Sequence, residues 1–500
     1  TNKWEKDGQR GGYIWHTTGS GKTMTSFKSA QLIASSKDAD KVIFLIDRIE
    51  LGTQSLKEYR GFADENQSVQ ETENTSVLIT KLKSSDPADT LIVTSIQKMS
   101  NIHDEGNLNA DDIELINKKR MVFIVDECHR STFGDMLHTV KKTFPRAMFF
   151  GFTGTPIFEE NSKNNSCLTD VFGDELHRYS IADGIRDKNV LGFDPYMILT
   201  YKDNDVRKAV ALDQARAGTI EEALKNEQKA AVYNYMNKSK VGMAGHFDEN
   251  NKYVKGIEDF LPKAQYNCDV HRNAVVDDII ENWVQYSQAG KFHALFATSS
   301  ITEAIKYYRL FKEKNAPMKV TALFDPNIDN NEGAIFKEDG LVEIIKDYNE
   351  TYHTDYSIPT ADKFKKDIAS RLAHKKPYER ISNKPEEQIN LLIVVDQMLT
   401  GFDSKWINTL YLDKILRYEN LIQAFSRTNR LFGPDKPFGT IRYYRMPHTM
   451  ARNIETAVKT FSGDKPMGLF VQKLDKNLEK MNFIFNEIKD PVSYTHLRAH

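Results

Sequence analysis

Cysteine is scarce: three in 500 residues, at Cys128, Cys167 and Cys268, odd in number and far apart. That excludes a disulfide framework and a zinc knuckle, and it fits a reducing compartment. No run of about 18 apolar residues occurs, which excludes a membrane-spanning helix. Neither sign of charge prevails, with Lys+Arg 68 against Asp+Glu 70 and a net charge of -2. A histone-like basic binder is thereby excluded, while a channel built from local basic patches stays open. Low-complexity tracts and repeats of solenoid period are also missing. The chain opens on Thr1 without a basic-then-apolar leader, and a fragment of a longer protein is expected. Its last stretch, PVSYTHLRAH (Pro491 to His500), breaks the preceding pattern and resembles translated adapter sequence. We set it aside as non-native and expect the natural chain to continue.

What is present reads as a globular protein with sizeable cores: 40% hydrophobic and 28% charged residues. The length implies two to four domains at roughly 100–200 residues each. GYIW (Gly12 to Trp15), VIFLI (Val42 to Ile46), LIVTS (Leu91 to Ser95), VFIV (Val122 to Val125) and MFFGF (Met148 to Phe152) are short apolar runs separated by helix-length spacers. Such runs predict buried parallel strands in α/β units. A second series follows: HALFA from His293, KVTALF from Lys319, LLIVV from Leu391, TLYL from Thr409 and TIRYY from Thr440. The polar stretch between, about 203–288, predicts a helical insertion or elaborated crossover. After Pro447 the pattern turns helical. The fold class is therefore α/β, with two tandem parallel-sheet domains and the start of a C-terminal helical region.

HTTGSGKT, His16 to Thr23, stands directly after a predicted strand and before a predicted helix. Glycines there let backbone N–H groups curl toward phosphate oxygens, and the following helix N-terminus adds its positive dipole end. Lys22 would reach the β/γ-phosphates of ATP, and the Thr23 hydroxyl would ligate Mg²⁺. The general pattern asks for glycine at the first position, where this chain has His16. DECH, Asp126 to His129, closes the strand VFIV, where ligands bind in open α/β sheets. Asp126 would hold Mg²⁺ through water, Glu127 would act as general base, and His129 would contact the γ-phosphate region or relay strain. Taken alone, such an acidic pair is as often a solvated loop. FTGTP (Phe152 to Pro156) and LTGFDS (Leu399 to Ser404) each follow an apolar run. QAFSRTNR (Gln423 to Arg430) predicts a helix with Arg427 and Arg430 on one face. An arginine aimed at a γ-phosphate stabilises the transition state; two surface arginines on an amphipathic helix is the competing reading.

In this order the motifs resemble the superfamily-two helicase-like motors. The neighbouring words GGYIWHTTGSGKT, VIFLIDRIELGTQ, VTSIQKM, VDECHRS, FFGFTGTPIF, YSIADGIRDKNVLGF, FHALFATSSITEAI and LIQAFSRTNRLF are similar to the R (motor and restriction) subunit of type I restriction–modification enzymes. The resemblance runs from about Gly11 to Arg445, and His16 fits it. It implies two RecA-like domains of the P-loop NTPase type, at 1–190 and 191–446, and a helical region from 447 to 490. It implies ATP hydrolysis driving translocation along double-stranded DNA, with methyltransferase and specificity subunits as partners, in a bacterial or archaeal cytoplasm. The implied ATP site is Thr17, Thr18, Gly19, Ser20, Gly21, Lys22 and Thr23 with Asp126, Glu127, Arg427 and Arg430. Thr153, Thr155, Thr400 and Gly401 would couple nucleotide state to DNA grip, alongside His129, and Gln423 would sit at the interdomain seam. Arg48, Gln54, Thr94 and Gln97, read as lying just past strand ends, are candidate contacts to the DNA backbone.

The family's nuclease domain precedes the motor, and this chain leaves no room for it; cleavage is expected of the parent protein only. The Glu-x-Lys tripeptides Glu227–Lys229 and Glu487–Lys489 read as solvated helix faces, and Gln9 lacks the strand-and-loop context of an adenine reader. His293 reads as a packed core residue. The generic motifs leave two alternatives: a DNA or RNA helicase of another branch, and a nucleotide-gated DNA-binding module that does not turn over.

Overall fold

The computed structural model describes residues 11–46, 70–71, 75–102, 110–129, 133–158, 167–238, 241–325, 334–396, 398–399 and 402–463. The first sheet is built from β1 (Gly11–His16), β2 (Lys41–Ile46), β3 (Gln70–Glu71), β4 (Leu91–Ser95), β5 (Met121–Asp126), β6 (Met148–Thr153) and β7 (Glu175–Tyr179). Their spatial order is β3-β4-β2-β5-β6-β1-β7, and every pairing is parallel. A parallel pair needs a crossover, so each strand returns through a covering segment and the central strands are buried on both faces. All six residues of β2 are buried, which is why KVIFLI is apolar throughout except at its first position.

Register then fixes function. Trp15 pairs with Thr153 and Asp126 with Phe152. The carboxyl ends of β1, β5 and β6 therefore lie side by side, and the three loops that leave them meet.

The second sheet contains β8 (Phe193–Met197), β11 (His293–Thr298), β12 (Val320–Leu323), β13 (Leu391–Val394), β14 (Ile407–Asp413) and β15 (Gly439–Tyr443), while β9 (His246–Phe247) and β10 (Tyr253–Val254) form a separate antiparallel ribbon. Its order is β12-β13-β11-β14-β15-β8, again parallel throughout. Each predicted apolar run lies on one of these strands. β7 and β8 were not predicted. Both are edge strands, half-exposed and partly polar, so no apolar run marks them.

The stretch 203–288 is two things rather than one helical insertion. Val206, Val210, Ala223, Tyr233, Met236 and Ile257 form a small core of their own, beside the ribbon. The helix Asp269–Tyr286 instead buries Val275, Val276, Ile279 and Trp283 in the core of the second sheet. The helix Pro447–Phe461 lays Met450, Ile454, Ala457, Val458 and Phe461 on that same core. Trp15 of β1 and Ile181, just after β7, join it too. One continuous apolar cluster thus ties the two sheets together.

Candidate functional site

The loop between β1 and the helix Lys22–Ser35 turns on two glycines in left-handed backbone, Gly19 at φ 95° and Gly21 at φ 96°. Glycine alone adopts that region without steric cost. Gly21 caps the helix without a side-chain hydrogen bond, so the first N–H groups of the helix keep their capacity for an anion. His16 Nδ1 meets Ser20 Oγ at 2.9 Å, and Ser20 Oγ donates to the Thr17 carbonyl at 2.7 Å. His16 therefore fastens the curl from within. The Thr17 N–H donates to the Tyr179 carbonyl at 2.9 Å, and the buried Thr17 hydroxyl has no partner among the described residues. Thr18 lies so close to Gly154 that a Cβ there would collide with it. Close approach explains the glycine of TGTP, a residue the sequence reading passed over.

Lys22 is buried and its ammonium lies between two carboxylates, on Asp126 Oδ1 and 3.2 Å from Glu127 Oε1. Burial by itself would lower its pKa, but the two acids more than reverse that and hold it above the ordinary lysine range. Glu127 sits at φ 51°, a left-handed conformation that costs a non-glycine residue about 1–3 kcal/mol. The turn aims its carboxylate two ways, since Oε2 is 3.4 Å from His129 Nδ1. Thr23 lies on the first turn of the helix, and its hydroxyl makes no hydrogen bond among the described residues. Thr23 and Asp126 offer hard oxygen ligands of the kind Mg²⁺ takes. Among the described residues no cluster of three or more His, Cys, Asp or Glu could hold a metal unaided. A cation shared with phosphate oxygens is the arrangement this donor set suits.

A buried chain of hydrogen bonds leaves this acidic pair for the second sheet. His129 Nδ1 is 2.7 Å from Thr153 Oγ1, which also accepts the Thr155 N–H at 3.0 Å. Gln423 Nε2 donates to Thr155 Oγ1 at 2.9 Å and meets His129 Nε2 at 2.5 Å. An amide nitrogen only donates, so His129 Nε2 accepts and the imidazole carries its proton on Nδ1. Four buried side chains, three from strand ends and loops of one sheet and one from the other sheet's helix, thus form a single network.

The predicted helix over QAFSRTNR ends early. It spans Tyr418–Phe425, and both arginines lie in the turn beyond. Ser426 Oγ donates to the Ile422 carbonyl and Thr428 Oγ1 to that of Phe425; such local bonds compete with helix continuation. The turn separates the two guanidiniums. Arg430 packs against Gly19, where any Cβ would overlap its guanidinium, and is held by Asp403 Oδ1 at 2.5 Å and Asn429 Oδ1 at 2.9 Å. Arg427 turns back to the carbonyls of Gln423, at 3.1 Å, and Phe402. Lys436, fully buried, donates to the carbonyls of Lys405 and Ile407 and so braces the segment that carries Asp403; burial pushes it down to about 7. No local sequence signal marks Asp403, Asn429 or Lys436 for these tasks.

Thr400, Gly401, Arg48, Gln54 and Gln9 lie outside the described residues. Thr94 is not past a strand end: it is buried inside β4, because that strand runs one residue further, to Ser95. Gln97 falls in the first turn of the helix Ile96–Ser100.

Two parallel sheets that share one phosphate loop, with an arginine of the second laid on a glycine of the first, are the architecture of a helicase-like ATPase. The SWI2/SNF2 ATPase family matches residues 1–230, and the family described as type I restriction enzyme subunit R domain 3 matches residues 290–446. The SauMRSORF196P endonuclease subunit, a type I restriction enzyme of Staphylococcus aureus strain MRSA252, is 38% identical over 460 residues, 90% of this chain and 43% of that protein. The type I restriction enzyme HindI endonuclease subunit of Haemophilus influenzae is 26% identical over 447 residues, 86% of this chain and 36% of that protein. This chain belongs to the family of type I restriction enzyme endonuclease subunits. It spans less than half the length of either relative. The ATP-dependent Type ISP restriction-modification enzyme LlaBIII, solved bound to DNA, shares the fold at 15% identity with a TM-score of 0.51, over 90% of this chain and 28% of that one.

Proposed function

We propose that this chain is the motor of a type I restriction enzyme, hydrolysing ATP to translocate double-stranded DNA. The observation that carries the reading is Arg430 packed on Gly19, since it makes one nucleotide site out of both sheets. Lys22 leaves the carboxylates for the β/γ-phosphates of ATP, helped by N–H groups of the loop between Thr18 and Thr23. Glu127, aimed by its left-handed turn, takes the proton of the attacking water. Arg430 meets the charge that builds on the γ-phosphoryl oxygens, and Arg427 holds the segment that anchors it. Thr23 and Asp126 would hold Mg²⁺, which when bound neutralises charge on the phosphates. Gln423, His129, Thr153 and Thr155 report nucleotide state from one sheet to the other, and Thr400 and Gly401 take part in the same coupling. The division of the motor units falls near residue 190, between β7 and β8, with the insertion at 203–268. Methyltransferase and specificity subunits as partners, cytoplasmic residence and cleavage by the parent protein complete the proposal. No helix among the described residues is long and apolar enough to cross a membrane.

ATP turnover of the purified chain should rise on adding duplex DNA, measured by phosphate release, without separation of the strands. Equal rates with and without duplex would sink the motor reading. Preferential stimulation by RNA, or unwinding of a tailed duplex, would favour another helicase branch. Lys22→Ala should reduce turnover to background. Because Lys22 is buried between two acids, the variant should also unfold at lower temperature, by calorimetry, unlike a loop lysine in solvent.

A further inference from the structure

Arg417, Arg452 and Lys459 have no acidic partner among the described residues, whereas most cations around them are paired. All three border one continuous groove. A cavity of about 500 Å³ lies between the ribbon β9–β10 and the helix Pro447–Phe461, lined by Arg417 and Arg452. A second, of about 870 Å³, runs on toward β1 and β7 and is lined by Lys459 and Arg178. Tyr418 and Thr456 border both. The sequence of the helix explains the groove. Arg452, Thr456 and Lys459 recur at spacings of four and three, which sets them on one face, while Ile454, Ala457, Val458 and Phe461 occupy the opposite, buried face. Seven residues of helix put the two cations about 10 Å apart along the groove.

The groove's acids are already engaged. Asp259 accepts from the Tyr253 hydroxyl at 3.0 Å and the Gly256 N–H at 2.8 Å, and Asp170 accepts the Cys167 N–H at 2.9 Å. At the ribbon end the cross-strand pair Phe247 and Tyr253 stands in solvent, Phe247 at 64% exposure, with ring centroids 5.2 Å apart. Unpaired cations and hydroxyls along a groove, with bare aromatic rings at its mouth, match a polyanion whose backbone alternates with apolar sugar and base edges.

We propose that this groove is a duplex-DNA track. One phosphate backbone lies along Arg417, Arg452 and Lys459, and Phe247 and Tyr253 pack against sugar and base edges where the duplex leaves the ribbon. The assignment rests on the motor reading above and adds the surface. None of these residues touches the ATP site.

The test uses the full chain and a labelled duplex, with affinity read by fluorescence anisotropy across a salt series. The variant Arg417→Gln/Arg452→Gln/Lys459→Gln should bind about tenfold more weakly or worse. Its plot of log affinity against log salt should lose about 0.9 in slope per phosphate contact removed. The variant Phe247→Ser/Tyr253→Ser should weaken binding with the slope unchanged, because apolar contacts release no counterions. Turnover of ATP without DNA should match the parent in both. If the parent chain binds duplex and is stimulated by it while the triple variant keeps the parent's affinity and slope, the track is wrong and the motor stands. A parent chain that neither binds duplex nor responds to it overturns the motor reading, and the track with it.

Discussion

Replacing Arg430 with alanine should lower ATP turnover by about 10³-fold or more, the range that arginine fingers supply in phosphoryl transfer. The guanidinium lies on the phosphate loop from the opposite sheet, fixed by Asp403 and Asn429, so its removal takes away charge stabilisation that no neighbour replaces. Nucleotide binding should survive, because the loop, its two glycines and Lys22 are untouched. Arg430→Lys should not restore the rate: an ammonium cannot keep both anchors and still face the loop. A turnover within a few-fold of the parent in either variant, with duplex present, would remove Arg430 from the mechanism.

Glu127→Gln should lower turnover by about 10²–10⁴-fold, the usual contribution of a positioned general base. The amide keeps the side chain's size and its place beside Lys22 and His129. Single-turnover measurements should therefore show ATP bound and uncleaved. The same variant separates the motor from a binding switch that never turns over. An unchanged rate would mean that this carboxylate takes no proton.

The legible part of the fold was the part buried on both faces. Central strands such as β2, β5, β11 and β14 each carry a buried apolar run, and each announced itself by it. β7 and β8 did not, because an edge strand with one open face carries Glu175, Arg178 and Asp194 without penalty. In the site, residues set by backbone geometry were readable: Gly19 and Gly21 need their torsions, and Asp126 closes a strand. Contacts made across the chain were not. Ser426 and Thr428 are a local cue that the helix stops at Phe425, but nothing local in QAFSRTNR tells that Arg430 then parts from Arg427. Nor does anything around Lys436 announce a buried ammonium bracing a segment about thirty residues earlier. His293 is different again, read as core and found fully buried against His374, Nε2 to Nε2 at 2.8 Å.

Trp15, Phe158 and Phe461 follow one another ring to ring, with centroids 5.6 Å apart for the first pair and 6.3 Å for the second. The matched restriction-enzyme family model stops at residue 446, fifteen residues short of Phe461. A truncation placed at that stop would strip the lid from this seam and leave Trp15 and Phe158 facing water. Shortened forms intended for crystallography should therefore retain the chain through Gly463, where the seam closes over Ser180.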